Sequence, residues 1–185
     1  MRLSCLLIVF SLYQPEAGKL DWAAAERNIV RLKPSAFQSL PPAVRAYLEK
    51  RTCTIPQAPE IDQQPNNVIR GRFTSAGQQD IAVLCSVKGT STVLVFRGGS
   101  DSSVAELAPA ADKGFLQTTG PNTIAFSRVI GVASPAMIRE YYKGFGGPTP
   151  PARLDHDGID DAFAGKASIV RYWFDGKWLE LAGMD

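Results

Sequence analysis

Several residue types are scarce in this chain, and each scarcity excludes a class of protein. The 185 residues include a single His, which excludes metal centres built from several histidines. They include only three Cys, too few for a small scaffold held together by many disulfides. The net charge is only +2, well short of the excess positive charge with which nucleic-acid-binding proteins bind phosphate groups. Hydrophobic residues make up 45% and charged residues 21%, a composition typical of a folded domain rather than a disordered chain.

The longest apolar run lies near the N-terminus and is too short to cross a bilayer. Residues 3–13 are apolar apart from two serines, whereas a membrane-spanning helix needs roughly 20 apolar residues. Arg2 precedes the run, and the small residues Ala17 and Gly18 follow it. This order is typical of a secretory signal peptide, so residues 1–18 are expected to direct export to the periplasm or the cell exterior. The alternative is a buried N-terminal strand or helix.

The cysteines predict one disulfide in the exported chain. Removal of residues 1–18 takes Cys5 away and leaves Cys53 and Cys85. An oxidising compartment favours a bond between this remaining pair. The alternative is two buried thiols that pack as small apolar side chains. The sequence has no Cys-x-x-Cys motif, so a redox-active pair is not expected.

The spacing of apolar residues divides the remaining chain into a helical segment and a β-rich region of one domain. Residues 19–53 form the helical segment, in which Asp21 is placed to cap a helix over 22–32. Pro42 then opens a second helix that ends near residue 51. Residues 54–185 form the β-rich region and belong to the same single domain.

Strand patterns follow one another through the β-rich region. The continuous apolar run 81–87 is typical of a strand buried on both faces, and 92–96 returns as its hairpin partner. Further strands are predicted over 104–107, 123–130 and 136–141. The expected fold class is therefore α+β: two N-terminal helices packed on a mostly antiparallel β-sheet that ends in a C-terminal hairpin.

The turn of the last hairpin determines which residues face each other. Asp175 and Gly176 suit a two-residue turn, because that turn needs a positive φ at both positions. The predicted cross-strand pairs are Phe174 with Lys177, Trp173 with Trp178, Tyr172 with Leu179, and Arg171 with Glu180. The predicted core face of the hairpin consists of Val170, Tyr172, Leu179 and Leu181.

The tryptophan pair on the other face of this hairpin is a candidate binding surface. Side by side, Trp173 and Trp178 would form a flat platform for a sugar or for a side chain of a protein partner. The alternative is that another element covers the pair. The aromatic residues available to cover it are Tyr141, Tyr142 and Phe145.

Residues 71–80, which read GRFTSAGQQD, lead directly into the central apolar strand. This segment resembles the FG-GAP or VCBS-type repeat, in which a G-D-F-N-G-D-G-x-x-D calcium loop precedes a buried strand. The matching positions are Gly71, Phe73, Gly77, Asp80, Ile81, Ala82 and Val83. Arg72, Thr74 and Ala76 replace the family's acidic or amide residues, so the roughly six to eight oxygen ligands of calcium are not supplied. The resemblance implies a repeat-like loop without its metal, in which Asp80 hydrogen-bonds backbone amides.

The resemblance covers residues 68–96, and the sequence has no second copy. Members of this family usually join several units into a β-propeller, which needs at least about four blades. A single degenerate repeat-like hairpin within a small α+β domain is therefore expected. Residues 156–168 and the final hairpin are similar to the C-terminal part of small exported bacterial proteins of unknown function.

The acidic stretch 154–161 contains four carboxylates and the only His of the chain. Asp155, Asp157 and Asp161 have the D-x-D-G-x-x-D spacing of some calcium loops, so they are the candidate ligands of a weak calcium site. The alternative is an acidic turn that caps a helix over 160–166, where carboxylates suit the helix dipole. A third interpretation makes His156 a general base, although no nucleophile motif accompanies it.

Two classes of function follow from these features. The first is an exported, non-catalytic binding or interaction module with a protein or glycan partner and no cofactor, unless the acidic stretch takes calcium. The second is a periplasmic hydrolase that uses the acidic stretch around His156, with or without calcium. The small net charge predicts no nucleic-acid partner, and the chain after residue 18 predicts no membrane span.

Overall fold

The structure is a computed structural model that describes residues 20–59, 61, 65–151 and 153–184. Within these residues it contains three α-helices and twelve β-strands, and every strand pair is antiparallel. The prediction of a mixed fold dominated by antiparallel sheet is therefore confirmed. None of the helices in these ranges is long and apolar enough to cross a membrane. The predicted signal peptide, residues 1–18, lies outside the described residues.

The helices are α1 (Trp22–Arg27), α2 (Pro42–Lys50) and α3 (Pro135–Phe145). The strands are β1 (Arg31–Leu32), β2 (Ile55–Pro56), β3 (Val68–Gly71), β4 (Asp80–Val87), β5 (Thr90–Phe96), β6 (Val104–Ala111), β7 (Leu116–Gly120), β8 (Thr123–Phe126), β9 (Arg128–Ala133), β10 (Gly158–Phe163), β11 (Ala167–Phe174) and β12 (Lys177–Gly183). Short 3-10 helices occur at Pro34–Ala36, Arg97–Gly99 and Asp112–Phe115.

Most of the strands belong to two four-stranded sheets. Sheet 1 has the strand order β3-β4-β5-β6, and sheet 2 has the order β12-β11-β10-β9. Two further pairs, β1-β2 and β7-β8, form small two-stranded sheets. Neighbouring strands in sheet 1 are also neighbours along the chain, so short turns can connect them.

The two sheets share an apolar core. Leu84 and Val95 of sheet 1 lie in one buried cluster with Ile130 and Ile159 of sheet 2. The strand pattern of β4 explains this position, because its apolar residues alternate between two buried faces and leave no polar side for solvent.

Helices cover the outer face of each sheet. Val44 and Leu48 of α2 pack with Leu94 and Phe96 on sheet 1, and all four side chains are fully buried. Ile138 of α3 packs with Val170, Tyr172 and Leu181 on sheet 2. The layer order is therefore α2, sheet 1, sheet 2 and α3.

Tyr172 contributes a polar group to the layer under α3. Its hydroxyl donates a hydrogen bond to the backbone carbonyl of Pro148 at 2.9 Å. Burial, and to a smaller extent the neighbouring Tyr142, raises the pKa of the Tyr172 hydroxyl above its ordinary value. The phenol is therefore favoured in its neutral, hydrogen-bonded form.

The predicted disulfide between Cys53 and Cys85 is present. The two Cα atoms are 5.4 Å apart, and the residues are separated by 32 positions in the sequence. The bond joins the segment after α2 to the central strand β4. It therefore connects the N-terminal part of the chain covalently to the middle of sheet 1.

The N-terminal segment differs from the expected helix over 22–32. Helix α1 ends at Arg27, and Asn28 forms its C-cap. Arg31 and Leu32 instead pair with Pro56 and Ile55, so β1 lies inside the segment expected to be helical. α1 has no buried residue, whereas α2 packs on sheet 1. The β-branched pair at 29–30 favours the extended conformation that begins where α1 ends.

Two segments have the opposite secondary structure to the one predicted. The strand expected over 136–141 is part of α3, which begins after Ser134; the hydroxyl of Ser134 accepts a hydrogen bond from the Met137 amide. The helix expected over 160–166 is wrong, because Gly158–Phe163 forms β10 and pairs with both β9 and β11. Pairing on both sides outweighs the local capping signal of the acidic residues.

Two smaller boundaries also move. The strand expected over 123–130 is divided at Ser127 into β8 and β9. The strand expected over 104–107 continues to Ala111 as β6.

The predicted register of the C-terminal hairpin is confirmed. Trp173 faces Trp178, Arg171 faces Glu180, and the other two predicted pairs are also present. The turn residues have φ angles of 49° at Asp175 and 76° at Gly176, as a type I′ turn requires. The predicted apolar face of the hairpin is the one that packs under α3.

Candidate ligand-binding cleft

The repeat-like loop before β4 is closed by protein hydrogen bonds to Asp80. This carboxylate is fully buried and accepts from the amide and hydroxyl of Thr74, both at 2.8 Å. Its other oxygen accepts from the Gln78 side chain at 2.6 Å and the Gly98 amide at 2.8 Å. The prediction that Asp80 bonds backbone amides is confirmed. Both carboxylate oxygens already have two donors, so the loop is held without a cation.

The acidic stretch does not bring its three candidate calcium ligands together as a carboxylate cluster. Asp155 is exposed, and Asp157 accepts from the backbone amide of Arg72 at 3.0 Å. Asp161 lies in β10 and is paired with two arginines. Among the described ranges there is no group of three or more His, Cys, Asp or Glu residues suited to a metal. The geometry therefore lends no support to a calcium site at Asp155, Asp157 and Asp161.

His156 is buried, with an exposed fraction of 8%. Its Nδ1 atom lies 3.3 Å from the backbone oxygen of Asp157. Neither a carboxylate nor a hydroxyl is hydrogen-bonded to this ring in the described part of the chain. The environment of His156 therefore lacks the oriented acid and nucleophile that a hydrolytic mechanism uses.

The tryptophan pair does not form one flat platform. The rings of Trp173 and Trp178 meet edge to face, with centroids 5.7 Å apart and planes 66° apart. The guanidinium of Arg97 lies over Trp173, 4.0 Å from the ring centroid, and Trp178 packs against the core between the sheets. The pair is partly covered, but by these groups rather than by the α3 aromatic residues. Tyr141 and Tyr142 pack instead on the opposite face of sheet 2.

The most distinctive polar group between the sheets is a buried cluster of two arginines and one aspartate. Arg128, Asp161 and Arg171 come from the adjacent strands β9, β10 and β11. Asp161 faces Ile130 on one side and Ile169 on the other. Each arginine is two residues from the residue that faces Asp161, which puts all three side chains on one face of sheet 2. We call these three residues the Arg–Asp–Arg cluster.

Arg128 uses all five of its N–H groups within the protein. Nε and Nη2 donate to the two oxygens of Asp161 at 2.9 and 2.8 Å. Nη1 donates to the backbone oxygen and hydroxyl of Ser91, and Nη2 also donates to the Ala108 carbonyl. The ring of Phe115 lies 4.6 Å from the guanidinium carbon. Since the side chain is only 1% exposed, Arg128 is a fixed, fully bonded cation.

Arg171 differs from Arg128 because only part of its N–H groups are hydrogen-bonded within the described residues. Nη1 donates to Asp161 at 2.8 Å, and Nε donates to Glu180 at 2.9 Å. No hydrogen bond from Nη2 occurs among the described residues, and Nη2 is not sealed from solvent. The Arg171 side chain is nevertheless only 6% exposed. It is a buried cation with an unused, accessible amino group.

The Arg–Asp–Arg cluster lines a cleft of about 360 Å³ between β6 and β11. A volume of this size is typical of a small-molecule site. The other lining residues are mostly apolar: Ala108, Pro109, Ala110, Phe115, Phe163, Ala167, Ser168 and Ile169. The cleft thus combines apolar walls with a small number of fixed polar groups.

The backbone of β6 shapes one wall of the cleft. Ala108 has a φ of 50°, which is an uncommon conformation for a residue with a side chain. The strand pairing with β5 also shifts between Ser91 and Val93. This irregularity turns the Ala108 carbonyl towards Arg128, where it accepts a hydrogen bond at 2.8 Å. The distortion at Ala108 is therefore stabilised by the same arginine that holds Asp161.

Two residues of this cluster carry a signal in the sequence, although it pointed to other roles. The pairing of Arg171 with Glu180 was predicted correctly, and Asp161 was singled out, but as a calcium ligand. Arg128 was missed. The available signal was a charged residue directly before the strand-like residues 129–132 (VIGV), since a charge in a buried strand needs a partner.

Comparison with known proteins finds no match: no family model fits the sequence, no curated protein aligns with it, and no solved structure matches its fold.

Proposed function

We propose that this protein is an exported, non-catalytic binding module whose small-molecule ligand occupies the cleft at the Arg–Asp–Arg cluster. The observation that carries the proposal is the unused amino group of buried Arg171 in an apolar cleft of about 360 Å³. Pockets that bind small molecules typically combine apolar walls with a few fixed polar groups. Export is supported by the disulfide together with the signal-like segment 1–18.

Binding rather than catalysis is supported by the state of the polar side chains around the cleft. Asp161 is paired with both arginines, which leaves no carboxylate oxygen free to act as a base. The Ser168 hydroxyl donates to the backbone oxygen of Met184, and no base is bonded to it. His156 is not among the residues that line the cleft. These groups are suited to holding a ligand, and they lack the arrangement of a nucleophile with its base.

The resemblance to an FG-GAP or VCBS-type repeat has a structural role in this proposal. The segment 68–96 contains β3, β4 and β5 in one antiparallel arrangement, and Asp80 closes its loop with four hydrogen bonds. We assign this segment as a degenerate, metal-free repeat that forms three of the four strands of sheet 1. In this assignment the ligand site belongs to sheet 2 and β6 instead.

The experiment that tests the proposal is a fragment screen by NMR on the chain without residues 1–18. Backbone amide shifts would be followed while a panel of small aromatic and aliphatic compounds is added. Ala167→Trp places a large side chain at an exposed residue that lines the cleft. Ala136→Trp is the matched control, because Ala136 is exposed on α3, on the other side of sheet 2.

We expect hits whose shift changes concentrate at residues 108–110 and 161–171. Ala167→Trp should abolish these changes, whereas Ala136→Trp should leave them intact. The proposal is wrong if no compound perturbs the cleft, or if both variants respond like the wild type. A hydrolytic activity that is lost in His156→Ala would instead favour the enzyme class.

A further inference from the structure

The charges of the Arg–Asp–Arg cluster are not balanced inside the protein. Two buried guanidinium groups share a single buried carboxylate, Asp161. The second acidic partner of Arg171 is Glu180, whose side chain is 60% exposed and is therefore strongly screened by water. The floor of the cleft thus carries one positive charge that no buried anion of the described residues neutralises.

The unused donors of Arg171 suit a carboxylate ligand. A guanidinium offers its N–H groups in one plane, which matches the two oxygens of a carboxylate. In Arg171, Nε and one Nη1 donor are already used on Glu180 and Asp161. The Nη2 group donates to no described residue and is not sealed from solvent, so it is left to bind a ligand oxygen. These donors are worth more in an apolar cleft than in water, because the local dielectric constant is lower.

The surroundings favour an anion with one charge and an apolar body. A single ligand charge would neutralise the excess positive charge, whereas a dianion would leave a net negative charge beside Asp161. The walls formed by Phe115, Phe163 and Ile169 supply apolar surface for the rest of the ligand. A polar ligand such as a free sugar would leave those walls facing hydroxyl groups.

We propose that the cleft binds a small monocarboxylate with an apolar group, and that Arg171 holds its carboxylate. This inference rests on the proposed function, which places the ligand in this cleft. It adds the chemical class of the ligand and the residue that recognises it. Arg128 has a positioning role: two of its five hydrogen bonds hold Asp161, which in turn orients Arg171, and the other three fix Arg128 itself on Ser91 and Ala108.

The test compares probes that share a phenyl ring and differ in the charge and shape of the polar group. Sodium benzoate, benzyl alcohol and phenyl phosphate would be titrated separately into the protein, and dissociation constants would be measured by NMR. Benzoate should bind at least tenfold more tightly than benzyl alcohol, and no more weakly than phenyl phosphate. The shift changes should be largest at Arg171 and along residues 167–169.

Two variants test the role of charge at the site. Glu180→Gln keeps an acceptor for Arg171 Nε while removing a negative charge near the cleft, so benzoate should bind roughly fivefold more tightly. Asp155→Asn removes the same charge from an exposed residue elsewhere and should leave benzoate binding unchanged. Arg171→Gln should remove the preference for benzoate over benzyl alcohol.

The outcomes separate this inference from the proposed function. If benzoate and benzyl alcohol bind the cleft equally, the protein is still a binding module, but the carboxylate assignment is wrong. The assignment is also wrong if phenyl phosphate binds more tightly than benzoate, or if Glu180→Gln does not strengthen benzoate binding. If none of the probes binds the cleft and the fragment screen also fails there, the proposed function is wrong as well.

Discussion

Replacement of Asp161 by Asn should destabilise the protein more than any other change in the acidic stretch. Asp161 accepts three hydrogen bonds of 2.8–2.9 Å, two from Arg128 and one from Arg171. An Asn can keep its single oxygen towards Arg128 Nη2 and Arg171 Nη1, but its amide nitrogen then faces Arg128 Nε. The variant thus loses one charge-assisted hydrogen bond and leaves two buried guanidinium groups without a buried counter-charge, since Glu180 is 60% exposed.

The expected loss is about 3–5 kcal/mol in the free energy of unfolding, the usual cost of removing one member of a buried ion pair. The total free energy of unfolding of a domain of this size is roughly 5–15 kcal/mol, so the change is a large fraction of it. Urea denaturation followed by tryptophan fluorescence measures it. The midpoint should fall by about 2 M, given a slope near 2 kcal/mol per molar urea.

Asp155→Asn is the matched control, because Asp155 is exposed and lies in the same acidic stretch. It should change the free energy of unfolding by less than about 0.5 kcal/mol. A loss below about 1 kcal/mol in Asp161→Asn would refute the reasoning, since it would mean that the buried cluster does not depend on its only buried carboxylate. A rise in Tm with millimolar calcium that Asp161→Asn abolishes would support the calcium interpretation instead.

Three further predictions concern stability. The double change Cys53→Ala and Cys85→Ala should lower the free energy of unfolding, measured by urea denaturation, by about 3–4 kcal/mol, because the bond closes a loop with a sequence separation of 32. Equal stability of the wild type with and without reductant would contradict this. Gly176→Val should lower the free energy of unfolding by about 1–3 kcal/mol, because Gly176 has a φ of 76°. Gly77→Val should lower it less, because Gly77 lies in open space without a positive φ. Equal melting temperatures of the two variants would contradict this prediction. Burial raises the pKa of Tyr172, so the neutral phenol stabilises the fold fully below pH about 10 and less as the pH rises further. Tyr172→Phe should cost about 1 kcal/mol at pH 7 and show a weaker loss of stability above pH about 10 in alkaline denaturation, and parallel pH profiles would contradict this.

The elements predicted correctly from the sequence are those determined by nearby residues. The Asp175-Gly176 turn specifies the register of the last hairpin, because only a primed turn suits this pair and the strand period is two. The continuous apolar run of β4 required burial on both faces, and α2 and sheet 2 provide it. Asp80 was expected to bond backbone amides, since the residues around it no longer supply calcium ligands.

The incorrect predictions fall where a local signal competes with pairing at long range. The acidic residues at 160–161 suit a helix N-terminus, but β9 and β11 are available on both sides, and their hydrogen bonds make this segment a strand. Gly158 contributes to this choice, since a Cβ there would lie 2.8 Å from the Arg171 carbonyl oxygen. The α3 segment shows the reverse case, in which the Ser134 cap and Pro135 outweigh a short β-like pattern.

The mixed antiparallel fold class, the disulfide partners and the register of the final hairpin could therefore be predicted from the sequence, because each depends on composition or on contacts between close residues. The candidate site was decided only by the tertiary structure. Arg128, Asp161 and Arg171 are separated by 33 and 10 positions, and only the pairing of β9, β10 and β11 places them on one face. Burial against sheet 1 then makes their charges matter, because a charged group removed from water is costly unless it is paired, and the three groups bond one another.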